Sequence, residues 1–185
     1  MSDDGELVER LRSGDPRALD ACYDRYRARL YGFVLRLGGR PELAEELVQE
    51  TFVRLARNAL RLRPDTHLRG FLFAVARNLW RSHLRWSWVD GTKLVELALG
   101  PSPIGRSPHA ELAASELEAR FESAVLALPA PQREVLLLVV LEHLEPSEIA
   151  TLLGLSREAV RQRLARARAA LRTALPDLAL EGDAA

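Results

Sequence analysis

The chain has 185 residues, room for one domain or two small ones. Hydrophobic content of 48% with 28% charged residues points to a packed protein and excludes a disordered one. The formal net charge is zero, which excludes a polycation, so any nucleic-acid surface must come from segregated charge. Lys93 is the single lysine among 26 basic residues, a bias that a GC-rich genome largely explains. Cys22 stands alone, which rules out an intramolecular disulfide, and reads as a small core residue. The four histidines, at 67, 83, 109 and 143, have no Cys or carboxylate at ligand spacing, so neither a metal site nor a cofactor is expected.

In chain order, MSDDGELVER is acidic and lacks an apolar core, unlike a signal peptide. Asp15-Pro16 is a cap followed by a first-turn proline. Leu19, Tyr23, Tyr26, Leu30, Phe33 and Leu37 follow at helical spacing, and Gly38-Gly39 ends that helix. Pro41 opens a second helix with Ala44, Val48, Phe52, Leu55 and Ala59 inward. Glu46, Gln49 and Glu50 share one quadrant of it, with Arg54, Arg57 and Arg61 continuing the side in opposite sign. That order is also what the helix dipole favours on any exposed helix. A loop at Arg63-Pro64-Asp65-Thr66 precedes a third helix, with Leu68, Leu72, Val75 and Leu79 inward. Arg77, Arg81 and Arg85 are expected on another face of it, interleaved with Asn78, Trp80, His83, Trp86 and Trp88. Arginines among exposed aromatics suit a single-stranded nucleic acid, whose bases stack and whose phosphates pair; Trp80 serves equally well as core.

Glycines and prolines then cluster between Val89 and Pro108, the clearest domain boundary. Ser107-Pro108 is expected to cap a helix with Leu117, Phe121, Val125 and Leu128 inward, and Pro129 and Pro131 break it. Gln132–Leu144 reads as a further helix, with Val139-Val140 buried in it or forming an extra protein contact. The apolar run Val135–Leu141 is too short to cross a bilayer, and no membrane insertion is expected.

The densest signal is Ser147–Leu171, SEIATLLGLSREAVRQRLARARAAL. Ile149, Leu152 and Leu153 give a first helix an apolar edge, Gly154 can take the positive φ that ends it, and Ser156 is an N-cap for the next. Leu155 and Val160 are placed for a hydrophobic staple. Val160, Leu164, Ala167 and Leu171 face inward, leaving Arg157, Glu158, Arg161 and Gln162 outward on the leading turns. This is the part a helix-turn-helix offers to the major groove. Six arginines and one glutamate give Ser156–Arg172 a net charge of +5. Basic helices are often only solvated faces, but here cap, staple, inward stripe and outward quartet agree in register.

AEELVQETF, then FLFAVARNL…HLR, a proline-rich break, LPAPQREVLLL and the helix-turn-helix together resemble a bacterial RNA polymerase sigma factor of the extracytoplasmic-function (ECF) group. The resemblance implies an all-α fold of two small helical domains joined by a flexible linker. Region 2 would take residues 1–88, the linker 89–108 and region 4 residues 109–178. It further implies that Glu46, Gln49 and Glu50 dock on the clamp helices of the polymerase β′ subunit. Arg63, Asp65, Thr66, Arg77, Asn78 and Arg81 would meet the minus-ten element, where a base is flipped out. Arg157, Glu158, Arg161 and Gln162 would read the minus-thirty-five element, with Arg163, Arg166 and Arg168 holding phosphates or the β flap. An anti-sigma protein is implied as a further partner and the cytoplasm as the compartment. The chain departs from the family pattern at Leu55, Trp86, Trp88, Val139-Val140 and Pro146-Ser147. The competing reading is a helix-turn-helix activator or repressor with an N-terminal sensing or dimerisation domain. No nucleophile–base pair or phosphate-binding glycine loop points to an enzyme.

Overall fold

A computed structural model describes residues 3–38, 40–89 and 116–176. They fall into two compact units, the first two stretches forming one and the third the other. Every regular element among them is helical.

In the first unit α1 spans Asp3–Arg12, a helix the sequence reading did not anticipate. Leu7, Val8 and Leu11 bury its inner face. The chain reverses at Gly14, whose φ of +79° suits glycine. Asp15 then caps α2 (Pro16–Gly38), its Oδ1 accepting from the Arg17 N–H at 2.9 Å. Its Oδ2 takes the Arg10 Nε–H at 2.8 Å, so one carboxylate ties α1 to α2. That hydrogen bond, with the one from Arg17, holds the Asp15 carboxyl below the usual aspartate range.

The buried stripe of α2 is Ala18, Cys22, Tyr26, Leu30, Phe33, Val34 and Leu37. It is turned from the expected one: Leu19 is half-buried and Tyr23 is 38% exposed, its ring 4.9 Å from Phe52. The small pair Ala18 and Cys22 lets α1 pack on α2, which rotates the stripe. Cys22 is fully buried, and its desolvation pushes the thiol up to about 11.

Helix α3 (Pro41–Asn58) buries Leu43, Ala44, Leu47, Val48, Thr51, Phe52 and Leu55, with Thr51 Oγ1 donating to Leu47 O at 2.7 Å. A 3₁₀ turn, Ala59–Arg61, leads through the loop to α4 (Leu68–Val89). Helices α2, α3 and α4 pack pairwise around one core, where the Phe33 and Phe73 rings meet edge to face at 5.1 Å. Trp80 is 3% exposed and belongs to this core. A Cβ on Gly38 would lie 3.1 Å from its Nε1, so the indole uses the space glycine leaves.

The second unit holds α5 (Glu116–Ala127), α6 (Ala130–Val140), α7 (Pro146–Leu153) and α8 (Arg157–Ala174). Val125 and Leu128 are buried and Phe121 is half-buried; the Ser107-Pro108 cap lies outside the described residues. Helix α6 packs on α8 and α7 and buries Glu134 through Leu138 in succession. It stops at Val140 instead of Leu144, because the chain turns at His143 with φ 49°. The apolar pair at its end is not enclosed: Val139 is half-buried and Val140 is 47% exposed.

Candidate DNA and polymerase interfaces

The turn between α7 and α8 is built as its sequence requires. Gly154 has φ 65°, the Leu155 N–H bonds Ala150 O at 2.9 Å and the Gly154 N–H reaches Thr151 O at 3.4 Å. These two bonds are a Schellman closure, which satisfies carbonyls at the helix end. Ser156 Oγ accepts from the Ala159 N–H at 3.1 Å and starts α8. Helix α7 begins one residue earlier than expected, at Pro146, and the Glu148 carboxylate accepts from the Glu145 N–H at 2.8 Å.

On α8, Val160, Ala167 and Leu171 are buried and Leu164 is half-buried, so the inward stripe stands where its spacing puts it. Arg157, Glu158, Arg161 and Gln162 are all exposed, with Gln162 Nε2 donating to Glu158 Oε1 at 3.2 Å. Arg166 and Arg168 are exposed and Arg163 is half-buried. The leading turns thus offer forked donors, an amide and a carboxylate, the set that reads base edges in the major groove.

In the first unit, Glu46 and Gln49 are exposed on α3, clear of its core face. Glu50 is half-buried and bonds the Arg54 Nε–H at 2.9 Å, so it reaches a partner only alongside that arginine.

The loop before α4 is a closed turn. Arg63 grips both carboxylate oxygens of Asp65 at 3.0 Å. The Arg63 N–H donates to Thr66 Oγ1 at 2.9 Å and the Thr66 N–H returns to Arg63 O at 3.0 Å. Arg63 and Asp65 stand in solvent, so the bidentate pair orders the loop more than it stabilises the fold. Asn78 and Arg81 are exposed on α4.

Arg77 is a correction. It was expected on the exposed basic face with Arg81, but it is only 6% exposed. Helix α4 packs on both α2 and α3, which widens its buried arc beyond one stripe and draws in Phe73, Ala76 and Arg77 together. Arg77 Nη1 donates to Asn78 Oδ1 at 3.4 Å. Trp86 is 68% exposed at the far end of the helix.

Among the described residues no group of three or more His, Cys, Asp or Glu could hold a metal, and no helix is long and apolar enough to cross a membrane.

A helix-turn-helix in one unit, and a three-helix core with an ordered loop in the other, fit a transcription factor built from two helical domains. Family models agree: Sigma-70 region 2 matches residues 22–88 and Sigma-70 region 4 matches residues 118–171. RNA polymerase sigma-H factor of Pseudomonas aeruginosa is 30% identical, over 96% of each chain. CarQ of Myxococcus xanthus is 31% identical over 94% of this chain and 98% of its own. A solved structure of CnrH in complex with the cytosolic domain of CnrY superposes with a TM-score of 0.70 at 26% identity, covering 94% of this chain and 97% of that one. The chain belongs to the ECF group of RNA polymerase sigma factors. It binds core RNA polymerase, recognises promoter DNA and helps open it to start transcription. The match of the first unit to region 2 supports the sigma-factor reading over an activator or repressor with an N-terminal sensing or dimerisation domain.

Proposed function

We propose that α8 reads the minus-thirty-five element and the first unit captures the minus-ten strand. Arg157, Glu158, Arg161 and Gln162 contact base edges, while Arg163, Arg166 and Arg168 hold phosphates or the β flap. The observation that carries this is the Ser156-capped helix with those four polar side chains exposed on its leading turns. Glu46, Gln49 and Glu50 dock on the β′ clamp helices. The Arg63–Asp65–Thr66 turn rims a flipped base, with Asn78 and Arg81 beside it. Arg77 is left out of that interface because it is buried, and it serves as a positioning residue for Asn78.

In this reading region 2 occupies residues 1–88, a linker 89–108 and region 4 residues 109–178. The protein acts in the cytoplasm as an initiation factor and not as an enzyme. An anti-sigma protein holds it inactive; the support is CnrH, solved with the cytosolic domain of CnrY.

Run-off transcription with purified core polymerase tests the reading. Initiation at a cognate promoter should depend on adding the protein. Asn78→Ala should lower output from closed duplex and lose much less on a template pre-melted at minus ten. Normal permanganate reactivity of bubble thymines in the Asn78→Ala complex removes Asn78 from strand opening.

A further inference from the structure

The peptide between Leu62 and Arg63 is held on both sides, and one of its holders comes from far along the chain. On the oxygen side, Leu62 O accepts from Arg12 Nε at 3.0 Å, a bond between residues 50 apart. On the nitrogen side, the Arg63 N–H donates to Thr66 Oγ1 at 2.9 Å. A peptide group is a rigid plane, so a bond at its oxygen and another at its N–H together fix its tilt. This plane is the entry to the closed turn, since the Thr66 N–H returns to Arg63 O at 3.0 Å. Leu62 has φ −59° and ψ 145°, so the helical ladder of the 3₁₀ turn ends there. Arg12 is itself anchored. It is the last residue of α1, whose Leu7, Val8 and Leu11 are buried, and its Nη1 donates to Glu9 Oε2 at 2.8 Å. Helix α1 also packs on the 3₁₀ turn that carries Leu62.

We infer that Arg12 is a positioning residue for this turn: by holding the Leu62–Arg63 peptide it sets how strictly the captured base is discriminated. The inference rests on the reading in which Arg63, Asp65 and Thr66 rim that base. Asp65 and Thr66 are both ordered by bonds to Arg63, so the tilt of the Arg63 peptide governs where the rim atoms stand. The Arg63–Asp65 pair is in solvent, and such pairs hold a geometry weakly. Arg12 adds a part-buried bond from a charged donor, one of the stronger kinds. Specificity is a difference of affinities. A turn that samples other shapes loses fit to the right base, while a wrong base, which fits poorly in every shape, loses little. Arg12 thus acts through the backbone on selectivity, and its effect cannot exceed the worth of the bond it makes.

Holoenzyme binding to fork promoters pre-melted at minus ten provides the test, with each of the four bases in turn at the captured position. Arg12→Met keeps an apolar stem and removes the donors, while Arg12→Lys keeps a charged donor. The Arg12→Met holoenzyme should show its base preference compressed about three- to tenfold, the worth of one hydrogen bond, through weaker binding of the preferred base. Its affinity for core polymerase should match wild type, and Arg12→Lys should recover part of the preference. Hydrogen exchange of the full chain gives a second reading. The Arg63 and Thr66 amides should exchange faster in Arg12→Met, while amides in the middle of α3 keep their rates. Equal weakening at all four bases overturns the inference, as does unchanged exchange at Arg63 and Thr66. A wild-type holoenzyme indifferent to the captured base overturns the base-capture reading and the role of Arg12 with it. If wild type discriminates and Arg12→Met discriminates equally, only the role of Arg12 falls.

Discussion

The two units build their proposed DNA-facing surfaces in different ways. In the second, the leading turn of one helix carries Arg157, Glu158, Arg161 and Gln162, and one glycine turn with one serine cap aims it. In the first, the proposed surface is collected from α3, a loop and α4, held together by a core shared among three helices. The difference bears on robustness. A surface carried on one helix tolerates changes that leave the helix in place, whereas a collected surface depends on every element that fixes the relative positions of its parts.

The sharpest test of that contrast is Phe73→Ala, which removes a fully buried ring packed on Phe33. It should cost about 3–5 kcal/mol in the unfolding of the first unit. Polymerase binding and minus-ten capture should fall together, while duplex binding by the helix-turn-helix persists. Chemical denaturation followed by tryptophan fluorescence, with a duplex-binding assay beside it, reads both; loss of polymerase binding alone would break the comparison.

Arg161→Ala comes next. It should cost about 1–3 kcal/mol on the preferred minus-thirty-five site and relax the preference there, with an unchanged melting temperature. Arg168→Ala should weaken all duplexes alike and reduce the salt slope by about one. Equal weakening of cognate and scrambled duplexes by Arg161→Ala removes its base-reading role.

The cap is a finer probe. Ser156→Ala should cost about 1 kcal/mol of second-unit stability and soften the aim of α8 without altering its preference among sites. Glu46→Arg should shift stability by less than about 0.5 kcal/mol, since the side chain is exposed, yet sharply weaken capture of core polymerase in a pull-down.

The smallest effect is a pH dependence. Asp15 has a lowered folded pKa, so its contribution is fully present above the ordinary aspartate range. It is lost as pH falls through the lowered value. Urea midpoints followed into acid should show that loss in wild type and less of it in Asp15→Asn.

The helix-turn-helix was legible because its determinants are local: Gly154, Ser156, Val160 and Leu171 lie within a few turns of one another. Periodicity also placed α2, α3 and α4. It failed where tertiary packing decides. Helix α1 hid in an acidic stretch, and what settles it is burial of Leu7, Val8 and Leu11 against distant residues. A single stripe of Leu72, Val75 and Leu79 puts Arg77 outward, whereas α4 packs on α1, α2 and α3. The Arg63–Asp65 pair was also missed, since Pro64-Asp65 signals a turn but gives no sign of which side chains close it.

Cys22 gives the protein a built-in reporter. Its sulfur is fully buried on α2, and Asp4 and Arg10 of α1 both act on it electrostatically, so α1 lies beside it. With the thiol pushed up to about 11, the reactive thiolate is scarce while the fold is closed. A thiol reagent can then modify the chain only during openings that uncover this part of α2, and lifting of the first helix is one of them. As the sole cysteine, it converts labelling rate into a count of those openings, read without introducing a single foreign residue.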